Sequence, residues 1–252
     1  MKYAIVNGER REAAPDLSGI CPGCGAPMVA RCGEINVWHW AHLGERICDH
    51  WWEPETEWHR NWKSQFPVNW QEIVHLSDTG EKHIADIKTD QSWVIEFQHS
   101  YLDPEERRTR SAFYPKLIWV VNGTRRKTDR EQFFNLLNGR TPIVPRPLVM
   151  RVQADECRLL KEWSSSPGPV FFDFGEAPVL WWLLPKTPNG TQFVACFSRA
   201  EFIALHNGGL QKADEFASFL RDFPHLITNW IRAQEQRSMP RFQPRGRPSR
   251  RF

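Results

Sequence analysis

Residues 82–98 read KHIADIKTDQSWVIEFQ and contain two runs rich in apolar residues, separated by a Thr-Asp-Gln turn. These runs predict two antiparallel strands, at residues 82–88 and 93–98. Asp86 stands near the end of the first strand, and Glu96 lies inside the second. The turn can therefore bring these two carboxylates together.

Glu96 and Gln98 are two residues apart, so they share one face of their strand. The rest of this strand is apolar or aromatic, and a buried acid and amide there need a compensating partner. Two converging carboxylates suit a hard cation such as Mg²⁺ or Mn²⁺, which offsets their repulsion. The alternative is a solvated pair that faces outward, with Asp86 as a turn residue.

The flanking sequence predicts a mixed α/β sheet. A proline in the first turn begins a helix at residues 54–66, and residues 71–76 add a third strand to the meander. An Asp-Pro-Glu-Glu cap begins a second helix at residues 103–113, and the apolar run LIWVV at residues 117–121 predicts a buried strand. The expected order is helix, three strands, helix, strand.

The first predicted helix carries further polar candidates. Glu55, His59 and Lys63 are spaced four residues apart, so they would line one side of the helix and extend the carboxylate site. A surface salt bridge between Glu55 and His59, with Lys63 in solvent, is the simpler interpretation.

Cysteines and histidines cluster in the first fifth of the chain, which favours a metal site over disulfides. The motif Cys-Pro-Gly-Cys is followed by His-Trp-Ala-His, and this spacing predicts a structural, tetrahedral zinc site. Its expected ligands are Cys21, Cys24, His39 and His42. The gap between the histidines is short for a zinc finger, so Cys32 or Cys48 could replace one of them. Surface thiols and packed imidazoles are the alternative.

Three prolines within residues 141–147 indicate a boundary. Beyond it, four extended runs and two helices predict a C-terminal α+β domain at residues 148–236, where we find no catalytic pattern. A protein partner could dock there. Six arginines and no acid follow in residues 237–252. We expect this tail to be disordered. Such tails often contact nucleic acid or a membrane surface, but we expect no membrane partner here; a tail that serves solubility alone is the alternative.

Residues 107–130 contain eight basic residues and one acid, a local excess that suits contacts to phosphates. The candidate nucleic-acid contacts are Arg107, Arg110, Arg125, Arg126 and Lys127. A solvated helix face, paired with Glu105 and Glu106, explains the same charges without a ligand.

The whole composition excludes two classes of protein. A chain of 252 residues with 40% apolar residues does not need the disulfides of a miniature scaffold. No stretch approaches the roughly 18 apolar residues of a membrane span, and the charged opening is unlike a signal peptide. We therefore expect a soluble, cytoplasmic protein.

Over residues 1–125 the chain resembles the competence protein CoiA-like nuclease family, a branch of the PD-(D/E)xK nuclease superfamily. The resemblance rests on the order and spacing of these motifs: Cys21-Pro-Gly-Cys24, His39-Trp-Ala-His42, Glu55-Thr-Glu-Trp-His59 with Lys63, Ala85-Asp86-Ile87, Glu96-Phe-Gln98-His-Ser100, and Arg110-Ser-Ala-Phe-Tyr114 before Ile118-Trp119-Val120.

The resemblance implies an α/β fold with an αβββαβ core, which we place at residues 54–139. Residues past about 140 have no counterpart in the family, so we expect the core to lie between a zinc-ribbon-like segment at residues 1–53 and a C-terminal α+β extension. The resemblance also implies metal-dependent cleavage of phosphodiester bonds. We therefore expect a DNA nuclease that acts in DNA processing, recombination, competence or phage defence. Asp86 and Glu96 would bind Mg²⁺ or Mn²⁺, aided by Glu55.

Gln98 stands where the superfamily usually has a lysine. A glutamine can orient the attacking water but supplies no positive charge, which Lys63 or His59 would have to provide. The alternative function is a catalytically inactive, zinc-dependent module that binds nucleic acid within a larger complex.

Overall fold

Two β-sheets form the framework of the computed structural model, which describes residues 1–44, 49, 51, 53–77, 80–175 and 177–238. The smaller sheet has the strand order β2-β1-β3-β4-β5. Its strands are β1 (Tyr3–Val6), β2 (Glu9–Glu12), β3 (Ser18–Ile20), β4 (Pro27–Arg31) and β5 (His39–His42). All of its pairings are antiparallel.

The larger sheet has nine strands in the order β10-β11-β14-β13-β12-β9-β8-β7-β6. In chain order they are β6 (Gln71–Leu76), β7 (Lys82–Lys88), β8 (Val94–Gln98), β9 (Leu117–Asn122), β10 (Val144–Pro145), β11 (Leu148–Val152), β12 (Val170–Asp173), β13 (Val179–Leu183) and β14 (Gln192–Ser198). Strands β8, β9 and β12 run parallel to one another, and the other pairs are antiparallel.

Six α-helices are found in the described residues: α1 (Glu57–Lys63), α2 (Pro104–Phe113), α3 (Lys127–Leu137), α4 (Arg158–Trp163), α5 (Arg199–Asn207) and α6 (Gly209–Ser238). They cover the larger sheet on both faces. Apolar residues of α3 and α4 pack in one core with Trp119, whereas those of α1, α5 and α6 pack in another with Phe97. Successive side chains of β8 and β9 point to opposite faces of the sheet, so each strand contributes residues to both cores.

The predicted order of helix, three strands, helix and strand is present as α1, β6, β7, β8, α2 and β9. The mixed α/β prediction is therefore confirmed. The predicted helix start at Pro54 is wrong, because Thr56 caps α1 and its hydroxyl accepts the backbone N–H of His59. The side chain of His59 in turn accepts the N–H of Thr56, which completes a capping box.

The proline-rich residues 141–147 contain β10, which is the edge strand of the larger sheet. An edge strand tolerates proline because one side of its backbone makes no ladder hydrogen bonds. Residues beyond them continue the same sheet, since β12 pairs with β9 from Val170–Trp119 to Asp173–Asn122. The predicted nuclease core and C-terminal domain thus share one sheet.

Two sequence predictions concern residues outside the described part of the chain. They are the proposed role of Cys48 as a zinc ligand and the predicted disorder of the arginine-rich tail from residue 239 onward; Arg237 lies in α6. Within the described residues, no helix is both long and apolar enough to cross a membrane.

Candidate functional site

Cys21, Cys24 and His42 form a group whose ligand atoms all lie within 4.8 Å of one another. The two cysteines sit in a tight turn after β3, closed by hydrogen bonds from Gly25 N to Cys21 O and from Cys21 N to Ala26 O, 2.8 and 2.9 Å long. Gly25 has a positive φ of 75°, which glycine adopts at no steric cost. His42 ends β5, and its Nε2 lies 3.4 Å from Cys24 Sγ. This group could bind a metal such as zinc.

His39 is not part of this group. It precedes His42 by three positions in the same strand, and an odd separation places the two side chains on opposite faces. Its Nδ1 instead lies 2.9 Å from the carbonyl of Val37. The structure therefore does not support His39 as a ligand beside His42, and the partly buried Cys32 is not in the group either.

A second group of polar side chains surrounds a cavity of about 70 Å³ between α1, α2 and the meander. Backbone pairing between β7 and β8 is found at Ile87–Ile95 and Lys88–Val94. Beyond that point side chains take over: Phe97 N donates to Asp86 Oδ2 at 3.0 Å, and Asp86 N donates to Glu96 Oε1 at 3.4 Å. Asp86 and Glu96 thus meet at the cavity, as the sequence predicts.

Lys63 reaches this cavity from α1. Its Nζ lies 3.0 Å from Asp86 Oδ1, 3.0 Å from Glu72 Oε1 and 3.3 Å from Glu55 Oε1. Burial alone would favour the neutral amine, but the three carboxylates outweigh it and raise the pKa of Lys63 well above its ordinary value. Lys63 is therefore a buried ammonium inside an acidic cavity, and neither Glu55 nor Lys63 is a solvated surface residue.

Glu96 differs from Lys63, because its environment favours the neutral form of the side chain. Burial, reinforced by the nearby Asp86, raises the pKa of its carboxyl well above the ordinary value, although Arg110 works against this shift. Arg110 Nη1 lies 3.4 Å from Glu96 Oε2. A buried carboxyl whose pKa is raised by burial and by a neighbouring acid is typical of a site that takes up a cation or a proton.

Glu53 is a site residue that the sequence analysis missed, because it lies in a segment without helix or strand periodicity. Its carboxylate accepts hydrogen bonds from His59 Nε2 at 2.9 Å, His99 N at 3.1 Å, and Ser100 N at 2.9 Å. Gln98 Nε2 donates to it at 3.2 Å. Burial opposes ionisation, but these donors, with the hydrogen bond from His59 foremost, lower the pKa of Glu53 to about 2.

Glu72 is the other missed residue, and the register of the meander could have revealed it. The pairs Gln71–Ile87 and Ile73–Ala85 place it opposite Asp86. Besides Lys63, its carboxylate accepts the backbone N–H groups of Lys2 at 2.7 Å and Tyr3 at 3.0 Å. Glu72 thus joins the smaller sheet to the cavity.

His59 is in place but is engaged on both ring nitrogens. Thr56 N donates to its Nδ1, so the ring hydrogen lies on Nε2, which is within 2.9 Å of Glu53 Oε1 and 3.0 Å of Phe97 O. These contacts fit a residue that orients its neighbours. They do not fit the predicted role of offsetting charge on a substrate.

The five predicted nucleic-acid contacts lie in four different environments. Arg107 is 2% exposed and donates to Glu162 O, so its predicted contact with phosphate is wrong. Arg110 belongs to the acidic cavity. Arg125 and Arg126, which directly precede α3, form ion pairs with Glu162 on α4. Of the five, Lys127 is exposed.

These features define a mixed α/β protein with an acidic cavity and an N-terminal sheet that carries a group able to bind a metal. Residues 16–50 match the family model for the N-terminal domain of competence protein CoiA. The matched stretch contains Cys21, Cys24 and His42, so it supports the resemblance to the CoiA family around the metal group. No curated protein and no solved structure matches the chain.

Proposed function

We propose that the chain is a Mg²⁺- or Mn²⁺-dependent nuclease that hydrolyses phosphodiester bonds in DNA. The observation that carries the proposal is the meeting of Asp86 and Glu96 in one cavity, at the point where β7 and β8 stop pairing. The match to the N-terminal domain of competence protein CoiA supports a role in DNA processing linked to competence.

The donors around the cavity fit a hard divalent cation. Asp86 and Glu96 would hold it and Glu55 lies nearby, so the available ligands are carboxylate oxygens of the kind that Mg²⁺ and Mn²⁺ prefer. The raised pKa of Glu96 reflects burial and repulsion by Asp86, and a cation would relieve this repulsion. When bound, the cation would polarise the scissile phosphate and lower the pKa of a ligand water.

Lys63 supplies the positive charge that Gln98 lacks. Its ammonium lies 3.0 Å from Asp86 Oδ1, so a phosphate that reaches the Asp86 carboxylate also meets Lys63. Glu55 and Glu72 fix the ammonium from the other side, which keeps it protonated and in place. The zinc group of Cys21, Cys24 and His42 would stabilise the smaller sheet and take no part in hydrolysis.

The same contacts also favour a second candidate function. Lys63 already balances part of the acidic charge, and a neutral glutamine occupies the position of the superfamily lysine. A catalytically inactive derivative of a nuclease would have these features. The chain would then be a zinc-dependent nucleic-acid-binding module.

Cleavage of labelled single- and double-stranded DNA in the presence of Mg²⁺ or Mn²⁺ separates the two functions. We expect Asp86→Asn and Glu96→Gln to lower the cleavage rate by about 100-fold or more, because each removes an ionised cation ligand worth several kcal/mol. DNA binding, measured by fluorescence anisotropy, should persist in both variants.

Glu105→Gln is the matched control, since Glu105 is an exposed acid on α2 whose ion partner is Arg108. It should leave cleavage unchanged. Equal cleavage by the unmodified protein, Asp86→Asn and Glu96→Gln would rule out the nuclease. Binding without cleavage by the unmodified protein would favour the binding module.

A further inference from the structure

We propose that Gln98 turns its amide oxygen, and not its amide nitrogen, toward the acidic cavity as a neutral cation ligand, and that Glu53 is the positioning residue that enforces this orientation. The inference deepens the proposed nuclease function and rests on it. The superfamily usually has a lysine at this position, and a lysine can only donate hydrogen bonds. The proposed role of Gln98 is the opposite one, because its oxygen would donate electrons to a cation.

The orientation of the amide follows from the groups around its nitrogen. Gln98 Nε2 lies 3.2 Å from Glu53 Oε2 and 3.3 Å from the carbonyl oxygen of Ser100. It also lies 3.3 Å from Ser100 Oγ, whose own hydrogen goes to Glu53. All three are acceptors, so only the NH₂ group satisfies them. A reversed amide would set its oxygen against a carboxylate and a carbonyl.

Glu53 is held firmly enough to enforce this choice. Besides Gln98, it accepts from His59 Nε2, His99 N and Ser100 N at 2.9 to 3.1 Å. Two of these donors are backbone groups just beyond β8, so the carboxylate is fixed relative to the strand that carries Gln98. Its position does not depend on a flexible surface contact.

The amide oxygen of Gln98 is left for a ligand in the cavity, because the amide nitrogen already donates to Glu53 and Ser100. Gln98 shares a strand face with Glu96, and both side chains line the cavity together with Asp86. The nitrogen and oxygen of an amide point in divergent directions, so a nitrogen fixed on Glu53 directs the oxygen away from it. An amide oxygen is a good ligand for hard divalent cations. Gln98 would add a third oxygen to those of Asp86 and Glu96.

The same geometry explains why a lysine would not serve at position 98. Its ammonium would pair with Glu53, the carboxylate that now accepts from the amide nitrogen, and this ion pair would take up its charge. The positive charge comes from Lys63 on α1, which Asp86 and Glu72 hold at 3.0 Å. The ligand and the cationic group are therefore on different elements.

Binding of Mn²⁺ to the full chain, followed by isothermal titration calorimetry with zinc already bound, tests the assignment without relying on activity. We expect Gln98→Leu to weaken Mn²⁺ binding by about tenfold or more, because it removes the ligand oxygen. Glu53→Gln should weaken binding in the same direction, since it frees the amide to rotate; loss of an outer partner typically costs 10–100-fold. Thermal unfolding checks that each variant is folded.

Gln211→Leu, at an exposed glutamine on α6, is the matched control and should bind Mn²⁺ as the unmodified protein does. Unchanged Mn²⁺ affinity in Gln98→Leu would overturn the inference, and so would a Gln98→Lys variant that cleaves DNA faster than the unmodified protein. Failure of the proposed nuclease function gives a different result, in which the unmodified protein and Asp86→Asn bind Mn²⁺ equally weakly.

Discussion

His206 is a buried histidine that makes stability depend on pH. Its side chain is 2% exposed and lies among the rings of Phe66, Phe202 and Phe216. Nδ1 donates to Phe202 O at 2.7 Å, while among the described residues Nε2 has no hydrogen-bond partner. Burial lowers the pKa of His206 to about 4, and the hydrogen bond to Phe202 opposes this only in part.

We expect the free energy of unfolding to fall by about 2 kcal/mol between pH 7.5 and pH 5 on account of His206 alone. The folded-state pKa lies below the ordinary value of 6.5, so the unfolded chain takes up the proton first. The contribution is complete above pH 6.5 and is lost as the pH falls toward 4.

Urea denaturation at several pH values measures this dependence in the unmodified protein and in His206→Leu. The variant should be less sensitive to pH over this range, since leucine does not titrate. Parallel pH profiles for the two proteins would show that His206 is not the group responsible.

For single helices and strands, the sequence predicts those positions that are set by local patterns. The three strands of the meander and the cap of α2 by Asp103 are found where expected, because alternation and capping residues are local signals. The start of α1 was misplaced because Thr56 and Pro54 both mark helix starts, and the capping box with His59 favours Thr56.

Some residues of the candidate site also follow from local patterns, whereas others do not. The pairing of Asp86 with Glu96 follows from strand register, whereas Glu53 lies in an irregular segment and is brought to the site by tertiary contacts. His39 was assigned from spacing to histidines and cysteines, but strand alternation turns it away from His42. A motif gives the residue types at a site, and the local backbone decides which of them face it.

The smaller sheet provides a direct test of this difference between His39 and His42. Its strands have three to five residues and its buried core is small, so a metal at Cys21, Cys24 and His42 would contribute much of its folding free energy. We expect about one zinc per chain by elemental analysis, lost in Cys21→Ser and His42→Gln.

His39→Gln is the matched control and should keep its zinc, because His39 faces away from the group. Equal loss of zinc in His39→Gln and His42→Gln would contradict the placement of the group. Full zinc content in Cys21→Ser would do so as well.

At the scale of the whole molecule, the two halves of the chain are joined by a sheet and by arginines. Strand β9 is fully buried between β8 and β12, so residues 170–173 cover what would otherwise be an apolar sheet edge. Arg107, Arg125 and Arg126 all contact Glu162 on α4, at its backbone or its carboxylate. Three of the five basic residues that the sequence suggested for DNA thus bind the C-terminal half instead.

A chain that ends at residue 147 should therefore fail to fold as a soluble monomer. It would expose the edge of β9, the apolar face that now packs on α5 and α6, and three arginines that have lost Glu162. We expect it in the insoluble fraction after expression, or as aggregates in size-exclusion chromatography. A chain that ends at residue 238 keeps every described element and should elute as the full-length protein does. A soluble 1–147 fragment with a cooperative thermal transition would mean that the N-terminal half is an independent domain, and that the shared sheet is an attachment between two units which each fold alone.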